Sequence, residues 1–240
     1  MRRCVIVVVA LLIGTSAVAM ASAGSCVSGH GCSAGQFVLG LSGGIVKPNG
    51  QIGSEPDWTT TSPTSGLDLR YGWNGSAEAS LYLTSFLSAG PWIGMSDLRM
   101  RDQVLSAGEA GTETFHMLVR GRTAFYGVHV KAFLPSERSW TPYAVVGIAR
   151  VVRRVDLSPS IVLVAPETDE LKVTDDRVGF DAGLGFEQAI SPWLGFTTCA
   201  RYFYSGPLKH DLQWMGHTMP VSSWDFWSVD LGFTLHAPAR

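Results

Sequence analysis

Hydrophobic and polar positions along this chain alternate with a period of two, the spacing of a β-strand that presents a different medium to each face. The pattern is clearest near the C-terminus, where Trp227, Val229, Leu231, Phe233 and Leu235 interleave with Ser228, Asp230, Gly232, Thr234 and His236. Leu194, Phe196, Thr198, Ala200 and Tyr202 alternate with Gly195, Thr197, Cys199, Arg201 and Phe203. Val178, Phe180, Ala182, Leu184 and Phe186 alternate with Gly179, Asp181, Gly183, Gly185 and Glu187. Segment 124–133 sets Tyr126, Val128 and Val130 against Gly127, His129 and Lys131. Upstream, Leu67, Leu69, Tyr71 and Trp73 oppose Asp68, Arg70 and Gly72, and Ala79, Leu81 and Leu83 oppose Glu78, Ser80, Tyr82 and Thr84. The first strand, near 36–46, sets Phe37, Leu39 and Leu41 against Val38, Gly40 and Ser42. An eighth strand, 143–153, is predicted from its β-branched content between two turn signals. Its two faces, Tyr143/Val145/Gly147/Ala149 and Val146/Ile148/Arg150/Val152, do not separate by polarity.

The spacing of these segments predicts alternating connections: long at 48–64, short at Asn74-Gly75-Ser76, long at 88–119, short at 135–142, long at 155–176, short at 189–192 and long at 205–222. Asn74-Gly75 is a favoured tight-turn pair because both residues tolerate positive φ. Short turns on one rim and long loops on the other describe an all-β, eight-stranded, antiparallel up-and-down transmembrane β-barrel. An even strand number returns both ends of the barrel to the short-turn rim. No repeat of 20–50 residues is evident, which excludes propellers and solenoids.

Charge decides which face meets lipid. Of the 240 residues only 16% are charged, with 18 Lys+Arg against 20 Asp+Glu, so a basic nucleic-acid binder is excluded. Arg70, Lys131 and Arg201 fall on the small-residue face, with Asp68, Glu78, Asp181, Glu187 and Asp230. A base on the lipid face near the bilayer midplane costs about 2–4 kcal/mol, so three would cost roughly 6–12, comparable with the whole stability of a domain. The charged face is therefore expected to line the lumen. There Asp68, Arg70, Glu78, His129, Lys131, Asp181, Glu187, Arg201 and Asp230 form a polar network, a salt-bridged plug in place of a wide aqueous pore. The aromatic side chains are expected to form two interfacial girdles: Trp73, Trp140, Tyr143 and Trp193 near the short turns, and Tyr126, Tyr204, Trp224 and Trp227 near the long loops.

The first segment reads as an address. Arg2 and Arg3 precede an apolar run from Val5 to Ile13 and small residues through Ala21-Ser22-Ala23, the three parts of a secretory signal peptide. The expected division is a signal peptide at 1–23, a leader at 24–35, the barrel at 36–236 and an extension at 237–240. Cys26 and Cys32, close together after the cleavage site, are a candidate disulfide in an oxidising compartment.

The stretch Tyr126-Gly127-Val128-His129-Val130-Lys131-Ala132-Phe133-Leu134-Pro135, followed by Trp140-Thr141-Pro142-Tyr143, resembles the small outer-membrane β-barrel superfamily of porin-like and opacity-type surface proteins, OmpA/OmpW-like eight-stranded barrels. In that group a strand ending in an aromatic-Leu-Pro turn is commonly followed by Pro-Tyr and a glycine-containing strand. Val178 to Glu187, followed by Ser191-Pro192-Trp193, is similar to the same family's next hairpin. The likeness covers roughly residues 36–236. Such barrels commonly end on an aromatic residue that the assembly machinery reads; here the chain continues past Phe233 and Leu235 to Arg240, a departure that implies either that Leu235 stands in for that aromatic or that assembly is less efficient.

Candidate chemistry is sparse. Eight-stranded lipid A deacylases carry His-x-Ser on a strand, but His116, His129 and His236 have Leu118, Lys131 and Pro238 two positions on. A Ser-His-acid set assembled across strands stays open. His210, Asp211 and His217, and Asp169, Glu170, Asp175 and Asp176, are loop groups without a metal-site spacing. No cofactor, metal or nucleic acid is expected. The leading expectation is a non-enzymatic barrel in the outer membrane of a Gram-negative bacterium, structural or interacting at the surface. Its partners would be outer-membrane lipid and lipopolysaccharide, the assembly machinery, and a surface ligand on four long loops. The alternatives are porin-like passage of small hydrophobic or ionic solutes, through a lateral opening between strands in one form, and an envelope-lipid-modifying barrel enzyme.

Overall fold

The computed structural model describes residues 34–49, 51–52, 67–68, 71–99, 103–107, 113–134, 140–161, 171–206, 212–214, 217–219 and 225–237. Eight long strands form the wall: β1 (Phe37–Pro48), β2 (Gly72–Tyr82), β3 (Leu87–Arg99), β4 (Glu113–Phe133), β5 (Trp140–Ile161), β6 (Leu171–Ser191), β7 (Leu194–Tyr204) and β8 (Phe226–His236). Each pairs antiparallel with its sequence neighbours, and β1 pairs with β8 from Val38↔His236 to Pro48↔Phe226, so the sheet closes into an up-and-down barrel. Closure gives each of the eight strands a partner on both sides within the belt, the arrangement a lipid surround requires. The segments Gln103–Ala107, Gln51–Ile52, Leu67–Asp68, Leu212–Trp214 and His217–Met219 make short pairings outside it.

One hairpin differs from the sequence expectation. Asn74-Gly75-Ser76 is not a turn but the upper part of β2, paired with Gly44, Gly43 and Ser42 of β1 and with Ser96, Met95 and Gly94 of β3. The turn lies at 83–86, closed by the N–H of Leu83 and of Thr84 donating to the carbonyl of Leu87. Residues 88–99, expected within a long loop, belong to β3. The strand total survives because the two strands expected on either side of Asn74-Gly75-Ser76 merge into β2 while 87–99 adds β3; Leu67–Asp68 pairs with Gln51–Ile52 outside the wall, so Asp68 lies on no barrel strand. Arg70, Trp224, Cys26 and Cys32 fall outside the described residues, as does the signal-peptide segment.

Two faces follow from strand parity. Outward, Leu41, Ile45, Leu81, Met95, Val128, Val130, Val146, Ile148, Val178, Phe180, Leu184, Val229, Leu231 and Phe233 are exposed in a continuous belt. An apolar surface running round the whole molecule is far larger than a water-soluble monomer shows, and it matches the band a bilayer covers. An 11-residue strand such as β2 or β7 rises about 25–30 Å at a tilt near 40°, just enough to cross that band. β4, β5 and β6, at 21, 22 and 21 residues, rise about twice as far and carry one side of the wall beyond it on the long-loop side. Trp73, Tyr126, Tyr204 and Trp227 point outward toward the long-loop rim, and Trp140 and Trp193 toward the other. Trp73 thus sits on the opposite rim from the one expected. Tyr143 is no girdle residue: it is 3% exposed, inside the barrel.

Candidate functional site

Among the described residues polar chemistry inside the belt collects in the lumen, and four layers of side chains fill it. One middle layer is ionic. Lys131 on β4 donates to Glu78 on β2, and Arg201 on β7 lies 3.9 Å from both Glu78 and Asp181. Lys131 also stands over the Tyr143 ring at 5.2 Å, and Arg201 over Trp92 at 5.6 Å. Asp230 accepts from Asn74 Nδ2 at 2.7 Å and from Ser228 Oγ at 3.1 Å. Gly40 makes room for this layer, because a Cβ there would lie 2.6 Å from Glu78 Cγ. Toward the short-turn rim, His236 Nε2 meets Glu187 Oε1 at 2.5 Å, beside Tyr82, Phe133 and Tyr143.

Toward the long loops the filling turns aromatic. Trp92, Phe125, Phe203 and Phe226 stack in sequence with ring centroids 4.6, 5.3 and 4.6 Å apart. Above them Arg153, fully buried, donates to Asp175, to Ser205 Oγ at 3.3 Å and to the carbonyl of Gly206 at 2.7 Å. Gly206 takes φ +67°, a conformation open to glycine that turns its carbonyl to the guanidinium. Asp225 completes the cap by accepting the Ser205 N–H at 3.1 Å. Among the described residues, two small cavities lie in the filling, one lined by Glu78, Lys131, Tyr143, Thr197 and Arg201, the other by Phe125, Phe203 and Phe226; each holds about 10 Å³, the room of one water.

Of the nine residues expected in the lumen network, Glu78, His129, Lys131, Asp181, Glu187, Arg201 and Asp230 come together inside the wall. Asp68 does not, because its segment pairs with Gln51–Ile52 outside the wall. Sequence reading omitted Asn74, Tyr143, Arg153, Asp175, Asp225 and the aromatic stack. Parity was the available signal for Arg153, which lies on the same face of β5 as Tyr143 and Val145.

A Ser-His-acid trio does assemble across strands. Ser80 Oγ lies 3.1 Å and Glu78 Oε2 3.4 Å from the same nitrogen, His129 Nε2. A catalytic relay needs the acid on one imidazole nitrogen and the nucleophile on the other. Here both crowd one nitrogen, Nδ1 has no partner among the described residues, and Ser80 and His129 are buried. The geometry is that of a lumen hydrogen-bond node. No group of three metal-ligating side chains occurs among the described residues. Asp175 and Asp176 lie on β6, not in a loop, and bind Arg153 and Arg150. His210, Asp211, Asp169 and Glu170 lie outside the described residues. Beyond the belt on the outer face, Arg120 binds both oxygens of Asp97, and this hydrogen bonding lifts its pKa above the ordinary arginine value.

No protein-family model and no curated protein matches the chain. Solved structures do. The outer membrane protein OprG from Pseudomonas aeruginosa superposes with a TM-score of 0.58 at 11% identity, covering 89% of this chain and 100% of that one. A major outer membrane protein from Thermus thermophilus gives 0.51 at 10% identity, covering 83% and 99%. Together with the closed eight-stranded wall and its apolar belt, these place the chain's fold among the small outer-membrane β-barrels.

Proposed function

We propose that this protein is a non-enzymatic barrel of a Gram-negative outer membrane, with a structural or surface-interaction role. One observation carries the reading: the lumen is filled from rim to rim, by Glu187–His236, by Glu78–Lys131–Arg201, by Trp92–Phe125–Phe203–Phe226 and by Arg153–Asp175. A filled, cross-linked interior favours a rigid post over a conduit. The strands that outgrow the bilayer, β4 to β6, supply a raised platform for surface contacts. Single-channel recording in a planar bilayer tests the plug: the expected trace has no large, stable openings, and such openings would overturn the reading. An unchanged lipid A mass on overexpression is expected of a barrel without envelope-lipid chemistry.

A second reading, lateral passage of small hydrophobic solutes, has one observation in its favour. The β2–β3 ladder is interrupted between Glu78↔Trp92 and Leu81↔Ala89, where Gly90 and Pro91 stand in β3. Proline has no N–H to give the ladder, so the wall is weakest there. Faster entry of an apolar dye into protein-containing vesicles, abolished by a disulfide between cysteines placed at the directly opposed positions Leu81 and Ala89, would favour this reading over the first.

A further inference from the structure

Beyond the apolar belt, the outer face of the wall carries a row in which Asp97, Arg122, Arg154 and Thr174 stand side by side on β3, β4, β5 and β6. Arg122 and Arg154 are exposed and directly opposed across the antiparallel β4–β5 pair. Like charges so placed repel and weaken the ladder. The neighbouring carboxylates are already engaged: Asp97 holds Arg120 through both oxygens, Asp176 holds Arg150, and Asp156 accepts from Arg154 Nε at 2.8 Å. Arg122 has no hydrogen bond or ion pair among the described residues. An uncompensated arginine beside a second one is a receptor for an anion, and two guanidinium forks on adjacent strands match the oxygens of a phosphate.

We infer that Arg122 and Arg154 clamp a phosphate on the headgroup of an outer-leaflet lipid. The source follows from position. Four residues down the same face of β4 stands Tyr126, in register with Ile93, where the apolar belt begins. Four strand residues at this tilt amount to about 10 Å of height, which brings arginine side chains into the headgroup layer. The side chains point outward from the wall, toward lipid and away from the lumen. The inference rests on the membrane-spanning reading and deepens it.

The test uses the full-length chain. It is first floated with neutral phosphatidylcholine vesicles; failure to float would sink the barrel reading itself, and the clamp with it. Native mass spectrometry from neutral detergent then counts retained lipid A, dephosphorylated lipid A and, in a separate arm, the response to inorganic phosphate. Wild type is expected to retain the phosphorylated lipid about tenfold better than the Arg122→Gln/Arg154→Gln variant, a margin typical of a charge-assisted pair. Lys47→Gln, a cation lying over the Tyr71 ring at 5.9 Å, is expected to leave retention unchanged. In lipid-free neutral micelles Arg122→Gln should unfold no lower than wild type, since repulsion is relieved, and in lipid A micelles it should unfold lower. A purely structural arginine would move both midpoints the same way. Equal retention by wild type and variant, equal retention of the dephosphorylated lipid, or equal protection by millimolar inorganic phosphate each overturns the clamp.

Discussion

Asn74 donates to Asp230 at 2.7 Å by reaching across the inner face of β1, where Gly44 lies in register with both. A Cβ on Gly44 would fall 2.7 Å from the Asp230 oxygen and would also collide with the Val229 carbonyl. Gly44→Ala is therefore expected to cost about 1–3 kcal/mol in urea unfolding from micelles, through a broken buried hydrogen bond and backbone crowding. Gly75→Ala, which meets only the Ser42 carbonyl at 3.9 Å, is the control and should stay near wild type.

Glu78 is the shared acid of the ionic layer, within reach of Lys131, Arg201 and His129. Glu78→Gln strands a buried ammonium and should cost about 3–5 kcal/mol. The double change Glu78→Leu/Lys131→Met removes both charges and is expected to cost less than the single one. Boiling-dependent gel migration across a temperature series reads both; a double variant weaker than the single would refute the buried-pair account.

Arg153 ties β5 to β6 and to the start of the 205–225 connection through Asp175, Ser205 and Gly206. Arg153→Met keeps the stem and removes every donor. Faster proteolysis within 207–224, with the membrane-embedded wall still resistant, is the expected outcome. Cleavage at the wild-type rate would mean that the connection is held elsewhere.

Leu231 faces out and Asp230 in, on consecutive residues of β8. A nitroxide at position 231 should be quenched by a lipid-dissolved relaxant more than one at position 230. The opposite order would invert the barrel and remove the basis of every assignment made to its lumen.

Much of this architecture was legible because a strand between lipid and lumen must change chemistry at every residue. β8 shows it best, with Leu231 and Phe233 against Asp230 and Thr234. The first hairpin was not legible for two opposed reasons. Asn74-Gly75 carries strong turn chemistry, yet both are used inside β2, Asn74 as a lumen donor. The real turn, Leu83-Thr84-Ser85-Phe86, has neither Gly nor Pro, while β3 contains Gly90, Pro91 and Gly94, which read as loop. Tyr143 was misplaced because β5 is apolar on both faces. Its inner face packs against Phe133 and hydrogen-bonds Thr197 at 2.9 Å, so polarity could not tell the sides apart.

The seam between β1 and β8 joins the earliest-made strand of the wall to the last. During biogenesis β1 must therefore wait, its hydrogen-bonding rim unsatisfied, until everything through His236 has left the ribosome and crossed the inner membrane. A polypeptide stopped before Phe226 would be an open ribbon with two sticky borders, prone to pair with another copy of itself.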